Sequence, residues 1–321
     1  MKRLTPRFAA LLCAGAALLS SCTQVFSGPT AADMQPSYVA METNSGRILY
    51  AANPNERRPI GMLANIATAI VVLDWVNSSH VSMETQLTVP AEACQWPTTN
   101  LLHLRPGDRI SLRDALHSTI MWDDSACATT LAYACGSTLS MIDPEGAFVA
   151  QMNQMAAAIG MNATRFKGSN GAVISMASTR DLALMGMYAI EKPAFKGISS
   201  KKSHTATITS AYGQARQAVI TNSNRLLAYD NVDGVKAARS RSAGCCLIAT
   251  STRTSVKLTD PRTGKPATYG QRLLVVVAGM PTSEKRYKMA TNLLRDSWGT
   301  WEKWQRANDF ADHSKFIILP H

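Results

Sequence analysis

Arg57-Arg58-Pro59-Ile60-Gly61-Met62-Leu63-Ala64-Asn65-Ile66-Ala67-Thr68-Ala69-Ile70-Val71-Val72-Leu73-Asp74 is the stretch on which the fold turns. Met62, Ile66, Ala69, Ile70 and Leu73 recur at helical spacing, which predicts a helix over residues 62 to 74. Pro59 precedes it, where the chain turns in. No charge lies between Arg58 and Asp74, so little of this helix can face water. The first turn of a buried helix is a favourable place to hold a nucleophile. Here that turn offers Met62, Ala64 and Asn65, none of which is a nucleophile or a base.

Working outward toward the N-terminus, Ser37-Tyr-Val-Ala-Met-Glu alternates as a strand, Thr43-Asn-Ser-Gly reads as a turn, and Arg47-Ile-Leu-Tyr-Ala returns as the second arm of a hairpin. Residues 22–36 show no periodicity and read as a tether. Before them, Lys2, Arg3 and Arg7 precede the apolar run Phe8 to Leu19, the pattern of a secretory signal over residues 1–21. The run is too short for a spanning helix. It ends in Leu19-Ser20-Ser21-Cys22, which resembles a bacterial lipobox. That implies acylation of Cys22 and anchoring in a membrane; the alternative is an ordinary signal cut nearby.

Toward the C-terminus, residues 83 to 111 are irregular apart from a strand signal at Gln86-Leu-Thr-Val. Ser111-Leu-Arg-Asp is a capping-box variant that opens a helix lined by Leu112, Ala115, Leu116 and Ile120. Helices follow at Ala126 to Ala134, Pro144 to Ile159 and Ser178 to Ile190, the last stopped by Pro193. Strand signals return at Thr205-Ala-Thr-Ile, Gln217-Ala-Val-Ile, Val232-Asp-Gly-Val, Cys245-Cys-Leu-Ile-Ala-Thr-Ser and Arg272-Leu-Leu-Val-Val-Val-Ala-Gly. Ser283 to Arg306 closes as an amphipathic helix. This order predicts an α+β fold in which an antiparallel sheet is flanked by the N- and C-terminal helices, with an all-helical lobe inserted at about residues 83–200.

Bulk properties narrow the function. The 321 residues carry a formal charge of +11; Lys2, Arg3 and Arg7 account for +3, leaving 11 − 3 = +8 after residue 21. No block of five or six like charges appears, which argues against a nucleic-acid partner. The balance suits work near polyanionic polymer or anionic lipid. Cys94, Cys127, Cys135, Cys245 and Cys246 remain beyond Cys22, an odd set read as buried free thiols. No C-x-x-C or Cys/His spacing suggests zinc, and the six His are scattered, so neither metal nor cofactor is expected.

Several collinear segments together resemble the D-alanyl-D-alanine carboxypeptidases, low-molecular-mass penicillin-binding proteins with the β-lactamase-like transpeptidase fold. They are Arg57-Arg58-Pro59 leading into Ile66-Ala67-Thr68-Ala69, Ala158-Ile-Gly-Met-Asn-Ala-Thr-Arg-Phe, Ser178-Thr-Arg-Asp-Leu-Ala-Leu, Asn222-Ser-Asn-Arg-Leu-Leu, Val232-Asp-Gly-Val-Lys and Ala243-Gly-Cys-Cys-Leu-Ile-Ala-Thr. The match runs from about Ser37 to Gly299, so the resemblance implies one transpeptidase-like domain over about 37–300, with 301–321 as the helix end and tail. The family's chemistry needs an S-x-x-K serine and lysine on the buried helix, an S-x-N motif in the lobe and a K-T-G strand.

The resemblance places those motifs on residues that cannot perform it. The S-x-x-K serine falls on Met62 and its lysine on Asn65. The S-x-N site falls on Asp123-Asp124-Ser125, and K-T-G on Lys236-Ala237-Ala238, where only the Lys survives. A thioether has no ionisable proton, and Asn65 accepts none near neutral pH. Ser199-Ser200-Lys201-Lys202 contains S-x-x-K formally, and Arg262-Thr263-Gly264 mimics K-T-G, but the first lies in a polar stretch and the second reads as a hairpin tip. Asp123 and Asp124 are either an acid–base pair or a solvated helix N-terminus. Lys236 is either a remnant carboxylate contact or a plain strand residue. The expectation is an exported, lipid-anchored pseudoenzyme of the cell envelope, binding peptidoglycan stem peptides or a wall-synthesis protein. The alternatives are an active D,D-carboxypeptidase or hydrolase with non-standard residues, and a purely structural envelope lipoprotein.

Overall fold

The computed structural model describes residues 34–95, 99–229, 231–259 and 264–306. The signal, Cys22, most of the tether, the tip at Arg262-Thr263 and the tail beyond residue 306 lie outside them. The hairpin strands are β1 (Ser37–Glu42) and β2 (Ile48–Ala52), followed by the short β3 (Arg58–Pro59). The opening helix begins with a 3-10 turn, Gly61–Leu63, and continues as α1 (Ala64–Ser79). It is long and apolar enough to cross a membrane by length and composition, yet it lies in the core, with Ile66, Ile70 and Leu73 fully or almost fully buried. Each such side chain contributes about 1.5–3 kcal/mol on burial.

Next come β4 (Gln86–Thr88), β5 (Arg109–Ser111), α2 (Leu112–Trp122), α3 (Ser125–Gly136), α4 (Pro144–Ala158), β6 (Met176–Ala177), α5 (Thr179–Glu191) and α6 (Pro193–Ser199). Caps read from the sequence are in place: the Ser111 hydroxyl accepts from the Asp114 amide at 3.0 Å, and Ser178 from Asp181 at 3.1 Å. As expected, α5 stops short of Pro193, at Glu191, and Pro193 also has a second role. It opens α6 at the first helical position, where its missing N–H would be unused anyway. The strands β7 (Ser203–Thr209), β8 (Ala215–Thr221), β9 (Val232–Ser240), β10 (Gly244–Thr259) and β11 (Pro266–Met280) precede α7 (Ser283–Arg306).

Five strands form the main antiparallel sheet in the order β2-β1-β11-β10-β9. Apolar side chains along β1, β10 and β11 alternate between its two faces, interrupted by bulges. Val39, Met41, Ile248, Leu274 and Val276 face the larger core, while Ala40, Leu247, Ala249, Val275 and Val277 face α7, where Leu293, Leu294, Trp298 and Trp301 cover them. On the inner side α5 lies against the sheet at Gly186, whose absent Cβ would meet Ile248 at 2.9 Å and Leu274 at 3.0 Å. α1 packs in the same core. The inserted lobe is mainly helical, but β4 and β5 within it join β7 and β8 in a four-stranded sheet, β4-β5-β7-β8. That sheet arises because short irregular segments at 86–88 and 109–111 satisfy their backbone groups on a hairpin supplied by later sequence.

Two contacts set the start of α1. β3 pairs with β6, Arg58 opposite Ala177, and the Ile60 amide donates to the Ser175 carbonyl at 3.1 Å. Gly61, at φ +50, lets Ser240 of β9 approach: a Cβ there would stand 2.6 Å from the Ser240 hydroxyl. The end of β9 therefore lies directly beside the turn that carries Met62.

Candidate functional site

Three separated stretches meet where the resemblance places a cleft, and they meet as packed interior. Met62 is 9% exposed. The Ser125 hydroxyl donates to its sulfur at 3.4 Å. A Cβ on Gly171 would stand 2.4 Å from the Met62 backbone and 2.5 Å from its sulfur, so the loop at Gly171 lies flat on this residue. Met62 is thus packed against Ser125 on one side and the Gly171 loop on the other, with little of it open to solvent.

Asn65, one turn on, is fully buried. Its Nδ2 donates to the Thr119 carbonyl at 3.4 Å, and its Oδ1 has no partner among the described residues. The same Thr119 carbonyl receives Lys236. Lys236 crosses from β9 to the end of α2, where Nζ donates to Thr119 O at 3.0 Å and Ile120 O at 2.7 Å and lies 2.6 Å from Asp123 Oδ1. Its side chain is fully buried. A cation on the last carbonyls of a helix stabilises the negative end of its dipole. The ammonium thus gives two hydrogen bonds to backbone carbonyls and has its charge paired by Asp123, all inside the protein. This corrects the reading of Lys236 as a carboxylate contact for a ligand: the residue caps α2 and pairs with Asp123. Neither is it a plain strand residue.

The two carboxylates differ from the expectation of a solvated helix start. Asp123 ends α2 in the left-handed region, φ 62, with its Lys236-facing oxygen out of solvent. Burial pushes its carboxyl above the ordinary range, and Lys236 and then Arg286 pull it back. Asp124 is fully buried as the cap of α3. Its Oδ1 accepts from the Cys127 amide at 3.0 Å, and its Oδ2 from Leu101 and Leu102 at 2.9 and 3.0 Å. Burial raises this carboxyl too, against the pull of those amides. Asp124 ties the segment at Leu101 to the lobe, and no lone pair is left aimed at a substrate. Ser125 starts α3 and is buried. Ala237 and Ala238 are buried on β9, one facing each core. Ser199 is buried at the end of α6 while Lys202 is exposed, so the formal S-x-x-K there has no desolvated lysine.

An open cavity of about 370 Å³ remains beside Asp123, between β9 and α7, lined by Trp122, Asp123, Arg225, Ala238, Arg239 and Arg286. Arg286 was not legible as a site residue. It sits in the first turn of an amphipathic helix, and only the fold brings it to β9. Its Nη1 donates to the carbonyls of Ala238 and Cys246 at 3.0 and 3.2 Å, its guanidinium lies 4.3 Å from the Tyr287 ring centre, and its Nε is buried without a partner. A cation at a helix N-terminus opposes the dipole. With Arg225 and Arg239 it makes the cavity positive around the single carboxylate of Asp123.

A second cluster lies on α2 and β7. His117 and His204 stack with centroids 3.6 Å apart. His204 Nε2 pairs with Asp114 at 2.6 Å, and Asp114 also accepts from the Thr207 amide at 3.1 Å. His117 Nδ1 donates to the Arg113 carbonyl at 2.7 Å, leaving Nε2 to accept from the Lys201 ammonium at 3.3 Å. A proton on Nε2 would face that ammonium. Burial first, then His204 and Lys201, lower the His117 pKa to about 4, against the Arg113 carbonyl and Asp114, which raise it.

The five described cysteines are free, and no group of three metal-ligating side chains occurs among the described residues. The family profile described as D-alanyl-D-alanine carboxypeptidase matches residues 27–260. The chain is 28% identical over 276 residues to the D-alanyl-D-alanine carboxypeptidase DacC of Escherichia coli, covering 82% of this chain and 60% of that protein. It is 30% identical over 278 residues to DacD of the same species, covering 82% and 62%. The chain thus spans about three fifths of the length of these relatives. The crystal structure of the Streptomyces K15 DD-transpeptidase superposes with a TM-score of 0.70 at 23% identity, over 82% of this chain and 96% of that one.

The His117 geometry sets a pH dependence. An unfolded histidine binds a proton below about 6.5 and the folded one only below about 4, so this group's stabilisation is complete above pH 6.5 and is lost as pH falls between those values. Chemical denaturation at pH 7 and pH 5 is expected to show a loss of up to about 2 kcal/mol from this residue. His117→Asn is expected to flatten that part of the profile; an unchanged slope in the variant contradicts the assignment.

Proposed function

This chain belongs to the D-alanyl-D-alanine carboxypeptidase family, and from that premise we propose that it is a non-acylating member that binds carboxylate-bearing peptidoglycan peptides, exported and lipid-anchored through Cys22. The observation that carries the reading is Met62: a thioether stands at the position of the acylating serine, sealed under Gly171. Acyl transfer by this family needs an oxygen nucleophile with a base one turn away. Met62 supplies no proton to remove and Asn65 removes none.

Asp123 and Asp124 do not replace the lost groups, since one is paired with Lys236 and the other satisfies three backbone amides. The positive cavity beside Asp123 supports binding instead. Arg286 and Arg239 line it, and a planar guanidinium suits a carboxylate better than a point charge does. The Lys236 ammonium is not available for this, so Arg286 is the residue on which an acidic peptide would depend.

Three outcomes are expected. A fluorescent penicillin leaves no covalent label on the native protein, and Met62→Ser with Asn65→Lys does not restore labelling, because Gly171 still covers the site and Asp123 still holds Lys236. Specific labelling of the native chain, read on a denaturing gel, would sink the non-acylating reading. In binding to purified sacculi at physiological salt, Arg286→Gln is expected to weaken retention about tenfold, the cost of one charge-assisted contact. Equal retention of variant and native protein would favour a structural lipoprotein. The full chain expressed in a bacterium is expected to incorporate labelled palmitate and to partition with membranes, and Cys22→Ser to lose both.

A further inference from the structure

The hairpin of β7 and β8 closes the four-stranded sheet, and β8 is its outer edge. Ser203 to Thr209 pair with Thr221 to Ala215 in consecutive steps, without a bulge. Bonds just outside the ladder fix its phase: the Ser210 amide donates to the Gln214 carbonyl at 2.7 Å, and the Asn222 amide to the Lys202 carbonyl at 2.9 Å. Bonded and non-bonded pairs alternate along an antiparallel ladder, so Ser203–Thr221, Thr205–Val219 and Thr207–Gln217 are non-bonded pairs. The Thr207 amide agrees, since it leaves the hairpin for the Asp114 carboxylate at 3.1 Å. On β8 the amides and carbonyls of Gln217, Val219 and Thr221 therefore point away from β7, where no partner for them occurs among the described residues. All three residues are exposed, Val219 by 62%.

Open edges are normally blunted by shortness, bulges, proline or lysine, because they pair with any strand that meets them. The other edges of the two larger sheets follow that rule. β4 has three residues, β2 pairs through a bulge, and β9 spends its Ala237 and Ala238 carbonyls on Ser223 and Arg286. β8 has none of these devices. Its one charge, Arg216, is held by the Leu102 and His103 carbonyls.

We infer that β8 is the pairing edge of a two-fold dimer, in which it adds antiparallel to β8 of a second copy. A dyad at Val219 sets Val219 against the partner's Val219 and Gln217 against the partner's Thr221, each exchanging both backbone bonds with the residue opposite. The like side chains that meet are valines, apolar on apolar, and Arg216 faces the partner's Asn222, so no charge meets its like. Charge is what singles out a second copy: the Gln217-Val219-Thr221 edge offers an acidic or a basic strand nothing to pair with, and it matches itself. Thr221 also lines the cavity beside Asp123, so the partner's Gln217 would stand at its rim. Only that consequence touches the proposed binding of acidic peptides; the pairing itself rests on the strand.

Cross-linking of the full chain in a bacterium tests this. Across the dyad two Val219 positions stand about 5 Å apart, whereas two Thr205 positions, one strand in, stand about 14 Å apart. A bismaleimide long enough for the first distance and too short for the second is expected to convert Val219→Cys mainly to a species of twice the monomer mass on a denaturing gel. Thr205→Cys, and Tyr212→Cys at the hairpin tip, are expected to give about tenfold less. Tyr212 is 95% exposed and so controls for chance collision. The native chain, whose described thiols are buried or half-buried, is the blank. Adding Gln217→Pro removes an outward amide where an edge strand tolerates proline, and is expected to cut the Val219→Cys dimer about tenfold. Should that variant not accumulate, Val219→Cys against its two controls decides alone. Equal dimer from all three cysteines, none from Val219→Cys, or a cross-link of Val219→Cys to a different protein overturns the inference. So does a dimer that Gln217→Pro leaves unchanged. Loss of binding to sacculi would remove the proposed function and leave the dimer standing, since the cross-link needs no ligand.

Discussion

The ammonium of Lys236 joins the two halves of the molecule. It leaves β9 of the main sheet, crosses to the last carbonyls of α2 and meets Asp123 at the point where the helix ends. Asn65 of α1 reaches the same Thr119 carbonyl, so sheet, opening helix and lobe converge on one peptide group. A buried ion pair is a poor source of net stability against an apolar pair of the same volume, but losing one member is costly. That asymmetry explains how a lysine persists on β9 while the residues after it are alanines: it caps a helix, whereas Ala237 and Ala238 have only to fill space.

Met62 shows the complementary result. Where one acylating oxygen would need a solvent-reachable pocket, a flexible thioether is packed between Ser125 and Gly171. Methionine suits such irregular space because it is unbranched and polarisable. The interior around Met62 is therefore closely packed on the α1 side, while the cavity toward α7 is open and basic. The proposed chemistry moves with it, from bond cleavage at Met62 to recognition of acids near Arg286.

The same architecture places titratable groups where burial decides their state. Asp123 and Asp124 are neighbours in sequence, yet one turns toward a lysine and the other toward backbone amides. His117 is held neutral first by burial, with His204 and the Lys201 ammonium at its free nitrogen adding to the effect. In each case burial sets the direction and the groups facing the side chain modify it.

Much of this was readable from the chain alone. Alternation in β1, β10 and β11, the caps at Ser111 and Ser178 and the apolar run of α1 are local patterns with periods of two or 3.6 residues, and the elements stand where those patterns put them. The absence of a nucleophile and base in the opening turn is equally a matter of residue identity. What only the tertiary structure decided is who faces whom. Lys236 as a helix cap, Arg286 at the cavity wall and the pairing of Asp123 all depend on partners far away in sequence. Local pattern fixes which way a side chain leaves its own helix or strand; the charge or dipole it meets there is supplied by another segment, and electrostatics in a low-dielectric interior is set by that meeting.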